Sequence, residues 1–317
     1  MLRHSASSVI ISSKRPPEPS MADTLQHNEW SGKTDGLPWM QRGLIALFRV
    51  SPLWLPYGIM ALVVPFYMLF SRKGYKAMYQ FFRKRIGLGP WKAFWYVYAN
   101  HFRFGQVILD RFGVYAGKKY HFTKEGQEQM DELETHPEGF MMLSSHVGNY
   151  EMGGYSLQPK QKKINALVFA GETATVMENR QRLLSQNNMG MILVKPDLSH
   201  LFALNAALEN GEIVSMPGDR IFGSQKTLDC QFFGATAHFP MGGFALAVQK
   251  SVQVLAVFVM KEGMRTYHAL VRPIQCDRTA NKREQMQQLA QAFATQLENI
   301  VRRYPTQWFN YFDFWKQ

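Results

Sequence analysis

His146 and Glu151 are the two residues of this chain whose type and spacing most readily do chemistry. They lie five positions apart in the stretch Met141 to Gly154, MMLSSHVGNYEMGG. An apolar run, Phe140 to Leu143, leads through two serines to the histidine, and a short polar turn separates it from the acid. This reads as a buried strand that delivers an imidazole to a sheet edge, with Asn149 capping a helix that begins near Tyr150. On one straight helix, residues five apart would point roughly 140° away from each other. With His146 in the turn and Glu151 in the first helical turn, the carboxylate can instead fold back onto the ring. Such a pair is a general base: the carboxylate fixes the tautomer and steadies the imidazolium, while the other ring nitrogen takes a proton. The spacing alone carries little weight. It is the setting of apolar strand, Ser-Ser, His, Gly-Asn turn and acid that singles out this histidine among nine.

A second constellation lies at Gly211 to Gly223, GEIVSMPGDRIFG. A strand over 212–216 runs into Pro-Gly and presents Asp219 and Arg220 at its end. Ligands of open α/β sheets gather beyond the carboxyl ends of strands, so His146 and this dipeptide are expected to face one crevice. An arginine there suits a phosphate or a developing oxyanion, because its planar fork donates two hydrogen bonds. The plainer reading is a structural Asp219–Arg220 ion pair. Further on, FFGATAHFPMGGFALAV (232–248) reads as a strand, a turn and a small-residue helix opening at Pro240, with Gly242 and Gly243 permitting close backbone approach. Asn149, Gly218, Asp219, Arg220 and Pro240 are therefore the expected substrate-binding residues, with His146 and Glu151 catalytic.

Patterning predicts what positions these groups. From about residue 120 the chain alternates strand and helix signals. Strands are expected at 139–145, 164–170, 190–194, 212–216, 228–234, 254–260 and 266–272. Helices are expected at 124–134, 150–158, 173–187, 198–209, 240–250 and 281–303. Such alternation implies an α/β fold with a mixed, largely parallel sheet flanked by helices. The aromatic ending WFNYFDFW (308–315) is expected to pack back onto it. Residues 119–317 form the expected α/β domain, 41–118 a membrane-associating helical region, and 1–40 a disordered, polar extension with no cleavable signal pattern.

Charge supports that division. The chain carries a formal +12 at pH 7, and the basic excess lies wholly within residues 1–120. It flanks 22 residues, 50–71, that hold no charge, a length able to span a bilayer. Pro52, Pro56 and Pro65 favour a kinked or partly inserted segment. Trp91, Phe94, Trp95, Tyr98 and Phe102 then recur at helical spacing as one aromatic stripe, either core or interfacial. A basic collar on an apolar segment points to an anionic membrane surface rather than a nucleic-acid groove. Cys230 and Cys276 stand far apart without metal-ligand spacing, so neither a disulfide framework nor a metal site is implied.

The residues SHVGNYE, GDR at 218–220 and FFG…FPMGG at 232–243 resemble the late acyltransferases of lipid A synthesis, within the lysophospholipid/glycerolipid acyltransferase superfamily. The resemblance covers roughly 40–315. It implies that His146 deprotonates an acceptor hydroxyl that attacks an acyl thioester, with Glu151 orienting the ring. It also implies a donor that is acyl carrier protein or acyl-coenzyme A, an amphiphilic lipid acceptor, no cofactor, and a place on the cytoplasmic face of the inner membrane. PGDR stands where the glycerolipid pattern has a Phe-Pro-Glu-Gly-like run, which leaves open lipid A, a lysophospholipid, an amino-acid lipid or a lipidic pigment as acceptor. Direct activation of the hydroxyl needs no enzyme nucleophile or metal. Backbone amides near Gly148–Tyr150, with Arg220, are then the expected oxyanion donors.

Other classes fit less well. A serine hydrolase using Ser144 or Ser145 lacks a G-x-S-x-G elbow. A nucleic-acid binder would spread its basic residues over the folded domain, yet residues 121–317 are neutral in sum. A non-catalytic membrane scaffold would give His146 and Glu151 no role.

Overall fold

The computed structural model describes residues 38–169, 174–195, 197–221 and 226–316. Most of the expected 1–40 extension therefore lies outside the described residues. Four helices come first: α1 Pro38–Val50, α2 Trp54–Phe70, α3 Arg72–Lys84 and α4 Pro90–Tyr115. Strand and helix then alternate through β1 His121–Glu125, α5 Gln127–Thr135, β2 Phe140–Ser144, α6 Tyr150–Ser156, β3 Ile164–Val168, α7 Ala174–Ser185, β4 Met189–Leu193, α8 Ser199–Glu209 and β5 Ile213–Pro217. A hairpin, β6 Thr227–Phe232 and β7 Ala235–Pro240, leads to α9 Met241–Lys250, β8 Val254–Lys261, β9 Thr266–Ile274 and α10 Lys282–Arg303.

Seven strands form one sheet in the order β1-β9-β8-β2-β5-β3-β4. Every pairing is parallel except β8 with β9. The α/β fold with a largely parallel sheet flanked by helices is thus the one the alternation implies. All eight residues of β8 are buried, because helices cover both faces of this inner strand and its sequence needs no polar side. Successive side chains of β2 enter opposite cores. Met141 and Leu143 join Phe258, Phe244 and Phe293 on one face, while Phe140 and Met142 join Leu255, Val257 and Val259 on the other. The strands expected from patterning appear with ends displaced by one or two residues. Two strands had no apolar signal: β1 is a mostly exposed edge, and β7 lies within what reads as a turn. Phe233 and Gly234, both at positive φ, close that hairpin in two residues.

The expected hydrophobic anchor is not a spanning helix. The apolar helix α2 has 17 residues, shorter than the roughly 20 a bilayer requires. After Ser71 the chain turns by 98° into the basic helix α3. No single described helix is long and apolar enough to cross a membrane. The aromatic stripe of α4 divides: Trp91 and Trp95 are exposed, whereas Tyr98 and Phe102 pack against the core.

The aromatic C-terminus does pack back, and it does so against the His146 turn. Val147 bridges Trp308. Phe309 N–H donates to the His146 carbonyl at 2.9 Å, and Gly148 N–H donates to Gln307 O at 2.8 Å. On its other side the turn follows β8, where Asn149 N–H reaches Val259 O at 2.7 Å. Gly148 adopts φ +61°, and a Cβ there would lie 2.2 Å from the Val259 carbonyl oxygen. Only glycine fits so close to the neighbouring backbone. Gly148→Ala should therefore cost well over about 1 kcal/mol of folding stability; a melting temperature equal to wild type would show that the turn can move away from β8.

Candidate active site

His146 and Asp219 each follow a strand end by two residues. Parallel pairing of β2 with β5 sets Ser144 opposite Pro217, so the two side chains emerge level with one another at the carboxyl edge of the sheet. Asp219 gives both oxygens to the histidine. Its Oδ2 accepts the His146 backbone N–H at 2.7 Å, and its Oδ1 binds Nδ1 of the ring at 2.8 Å. The carboxylate is 1% exposed and the imidazole 20% exposed. This arrangement fixes the Nδ1–H tautomer and leaves Nε2 as the basic atom. Among the described residues nothing hydrogen-bonds Nε2. The Tyr150 ring stands edge-on to the imidazole at 5.9 Å.

Glu151, expected to orient the ring, is bound elsewhere. Its carboxylate takes Arg111 Nε at 2.7 Å, Arg180 Nη2 at 3.1 Å and the Tyr115 hydroxyl at 3.0 Å. The first residues of α6 turn Glu151 toward α4 and α7, away from the crevice, so it ties three helices together. The aspartate assigned to substrate contact holds the histidine instead. Part of the signal was present in the sequence: both residues sit just past strand ends expected to face one crevice, while the adjacency of β2 and β5 comes from the sheet order.

The remaining expected contacts divide as well. Asn149 is 3% exposed and turns its Nδ2 inward to the Tyr267 hydroxyl at 3.2 Å, without capping α6. Gly218 donates its N–H to Ser144 O at 2.8 Å, and a Cβ there would press on the Phe293 ring at 3.0 Å. Its small size thus serves packing against α10. Arg220 donates from Nη2 to Phe309 O at 3.0 Å and lies over the Phe312 ring at 5.6 Å. Pro240 ends β7 and precedes α9. The amides of Gly148 and Asn149, expected as oxyanion donors, are committed to Gln307 and Val259. The Ser145 hydroxyl is buried without a partner among the described residues, so it is not bonded to His146 as a serine nucleophile would be. Both cysteines are free thiols, and the described residues contain no cluster of His, Cys, Asp and Glu able to hold a metal ion.

Electrostatics suit a base that is neutral near pH 7. Burial, then the charge of Arg220, pushes the His146 pKa below the usual imidazole value, while Asp219 opposes them. Burial alone would raise the Asp219 carboxyl; the neighbouring imidazole, its hydrogen bonds and Arg220 outweigh that and hold it low. Burial also works against ionised Glu151, but Arg111, Arg180 and Tyr115 bring it down to about 2.

Residues 111–317 match the family described as bacterial lipid A biosynthesis acyltransferase. The chain belongs to that family. No curated protein matches it. Among solved structures, the 1-acyl-sn-glycerophosphate (LPA) acyltransferase PlsC from Thermotoga maritima is similar at 14% identity and a TM-score of 0.37, over 82% of this chain and 98% of that one.

The two acids of this acyltransferase should separate by pH. Neutral His146 persists below the ordinary imidazole pKa, so activity should be lost as pH falls through a value under about 6.5. Asp219→Asn removes the group that raises this pKa, so its acid limb should move lower still while the plateau rate drops at least about a hundredfold. Glu151→Gln should leave the acid limb in place. Its effect belongs to stability: a carboxyl lowered to about 2 stabilises the fold above pH 4.5, and this contribution fades as pH falls from 4.5 toward 2. The depression corresponds to about 3 kcal/mol at neutral pH, readable as a denaturation midpoint. A shifted acid limb in Glu151→Gln would return that residue to the histidine.

Proposed function

We propose that this protein moves a fatty acyl chain from an acyl thioester, on acyl carrier protein or coenzyme A, to a hydroxyl of an amphiphilic acceptor of the lipid A precursor type. The observation that carries the reading is the His146–Asp219 pair, with Nε2 directed away from its aspartate at the sheet's carboxyl edge. Nε2 takes the acceptor's hydroxyl proton as its oxygen attacks the thioester carbonyl. The tetrahedral intermediate collapses, the C–S bond breaks, and the thiolate leaves with the proton returned by the imidazolium. Asp219 stabilises that transient cation and keeps Nε2 aimed. Arg220, whose charge bears on His146, is the cation assigned to the developing oxyanion in this reading. No nucleophile on the enzyme is required.

A lipid acceptor must be drawn from a membrane, and the N-terminal helices offer a surface for that. Leu62, Phe66, Leu69 and Phe70 of α2 and Trp91 and Trp95 of α4 are each at least 60% exposed. The flanking helix α3 buries Met78, Phe81 and Phe82 and turns Arg72, Lys73, Lys76, Arg83 and Lys84 outward. Apolar side chains beside lysines and arginines suit a helix lying in the interface of an anionic leaflet. The site then works at the cytoplasmic face of the inner membrane.

Two experiments test this reading. His146→Ala should lower acyl transfer to a lipid A precursor by about 10²–10⁴-fold with normal folding; a variant keeping more than about a tenth of wild-type turnover contradicts the base assignment. Replacing Leu62, Phe66 and Phe70 together by serine should weaken sedimentation with anionic phospholipid vesicles by at least about tenfold, since each exposed apolar side chain contributes on the order of 1 kcal/mol or more. Unchanged sedimentation would place the membrane contact elsewhere.

A further inference from the structure

Behind the catalytic turn lies a buried polar cluster that the reaction does not use directly. Its centre is Asp110 of α4, which is 0% exposed. Lys261 Nζ of β8 reaches its Oδ2 at 2.6 Å and the Tyr120 hydroxyl reaches its Oδ1 at 3.0 Å. The hydroxyls of Tyr57, from α2, and Tyr267, from β9, donate to the same carboxylate. One carboxylate thus collects an ammonium and three phenols from four separate parts of the chain. Burying such a pair carries a desolvation cost of several kcal/mol, and apolar residues of similar shape often give equal stability. What apolar residues would not give is direction.

Two arms run from this cluster to the turn that bears His146. In the first, the Tyr267 hydroxyl donates to Asp110 and accepts from Asn149 Nδ2 at 3.2 Å. Asn149 stands three residues after His146. In the second, the Gln307 side chain grips Lys261 through both backbone groups, at 2.9 and 2.8 Å. The Gln307 carbonyl then accepts Gly148 N–H at 2.8 Å. The cluster is therefore linked by hydrogen bonds to two adjacent residues of the turn, to the Gly148 backbone through Gln307 and to the Asn149 side chain through Tyr267.

We propose that the Asp110 cluster is the positioning centre of the catalytic turn, with Tyr267 acting through Asn149 to hold His146 in its working place. The proposal rests on the acyl-transfer reading for its kinetic consequence, but not for its structural one. Misplacing a reacting group by about 1 Å can cost on the order of a hundredfold in rate, so a loosened turn should appear in kcat rather than in substrate binding.

The cluster supplies its own control. Tyr120 and Tyr267 both give a phenolic hydroxyl to Asp110, yet only Tyr267 touches Asn149. In the full-length protein, Tyr267→Phe should speed amide hydrogen exchange of the 145–150 segment by at least about tenfold. It should lower kcat about tenfold with KM within about twofold. Tyr120→Phe should leave that segment's exchange and kcat close to wild type, even where its melting temperature falls. The kinetics use a lipid A precursor in detergent micelles, with His146→Ala beside them. Transfer retained by His146→Ala would remove the proposed reaction, and the exchange comparison would still decide whether Tyr267 holds the turn. Wild-type exchange or wild-type kcat in Tyr267→Phe overturns the positioning role, as does an equal loss in Tyr120→Phe.

Discussion

A single carboxylate, Asp219, holds both the backbone and the ring of His146, and the architecture around it follows from keeping that contact. The two bonds fix where the residue sits and which nitrogen is basic. They exist because β2 and β5 are parallel neighbours of matched length, which brings two strand ends level. Matched ends in turn require the flanking strand β8 to be buried on both faces, so that the sheet cannot slide without disrupting two hydrophobic cores at once. Arg220, one residue beyond the aspartate, adds to burial a charge that lowers the imidazole pKa, and it ties the aromatic C-terminus across the turn.

That arrangement gives the C-terminal aromatic segment a defined job. Residues 307–309 run beside 146–148 like an extra strand, and Asn100 of α4 fastens them from behind by donating to the Trp308 carbonyl at 2.8 Å. Trp308 itself is buried among Phe81, Phe232 and Phe314. The N-terminal helices, the hairpin and the chain's end therefore meet over one polar turn. Helix α2 shows the same economy, with Tyr57 reaching the buried Asp110 cluster from one side while Leu62, Phe66 and Phe70 stand exposed along the same helix.

The main sheet was legible because its buried strands are short apolar runs between turn residues, and the histidine was legible because such a run ends in it. The partner was harder. Spacing along the chain favoured Glu151, but a carboxylate in the first turn of α6 also lies within reach of Arg111 and Arg180, which no local pattern announces. Asp219 is 73 residues away, and only strand order makes it a neighbour. β1 and β7 escaped for a different reason: an exposed edge and a hairpin arm need little apolar periodicity once the sheet or hairpin partner is in place. The uncharged 22-residue run was read correctly as apolar, yet composition does not say that the chain bends at Ser71. Nothing local in the sequence marks Asp110 and Lys261 as a buried pair, since their burial depends on three tyrosines contributed by distant segments.

The central claim is that His146 and Asp219 act as one unit, and a double-mutant cycle on acyl transfer reads this directly. In a His146→Ala background the aspartate has no ring to orient, so adding Asp219→Asn should change the residual rate by less than about twofold, although the same substitution is severe in the wild-type protein. Losses that multiply, with Asp219→Asn costing as much without the imidazole as with it, would contradict the account and assign the aspartate to substrate or to the fold.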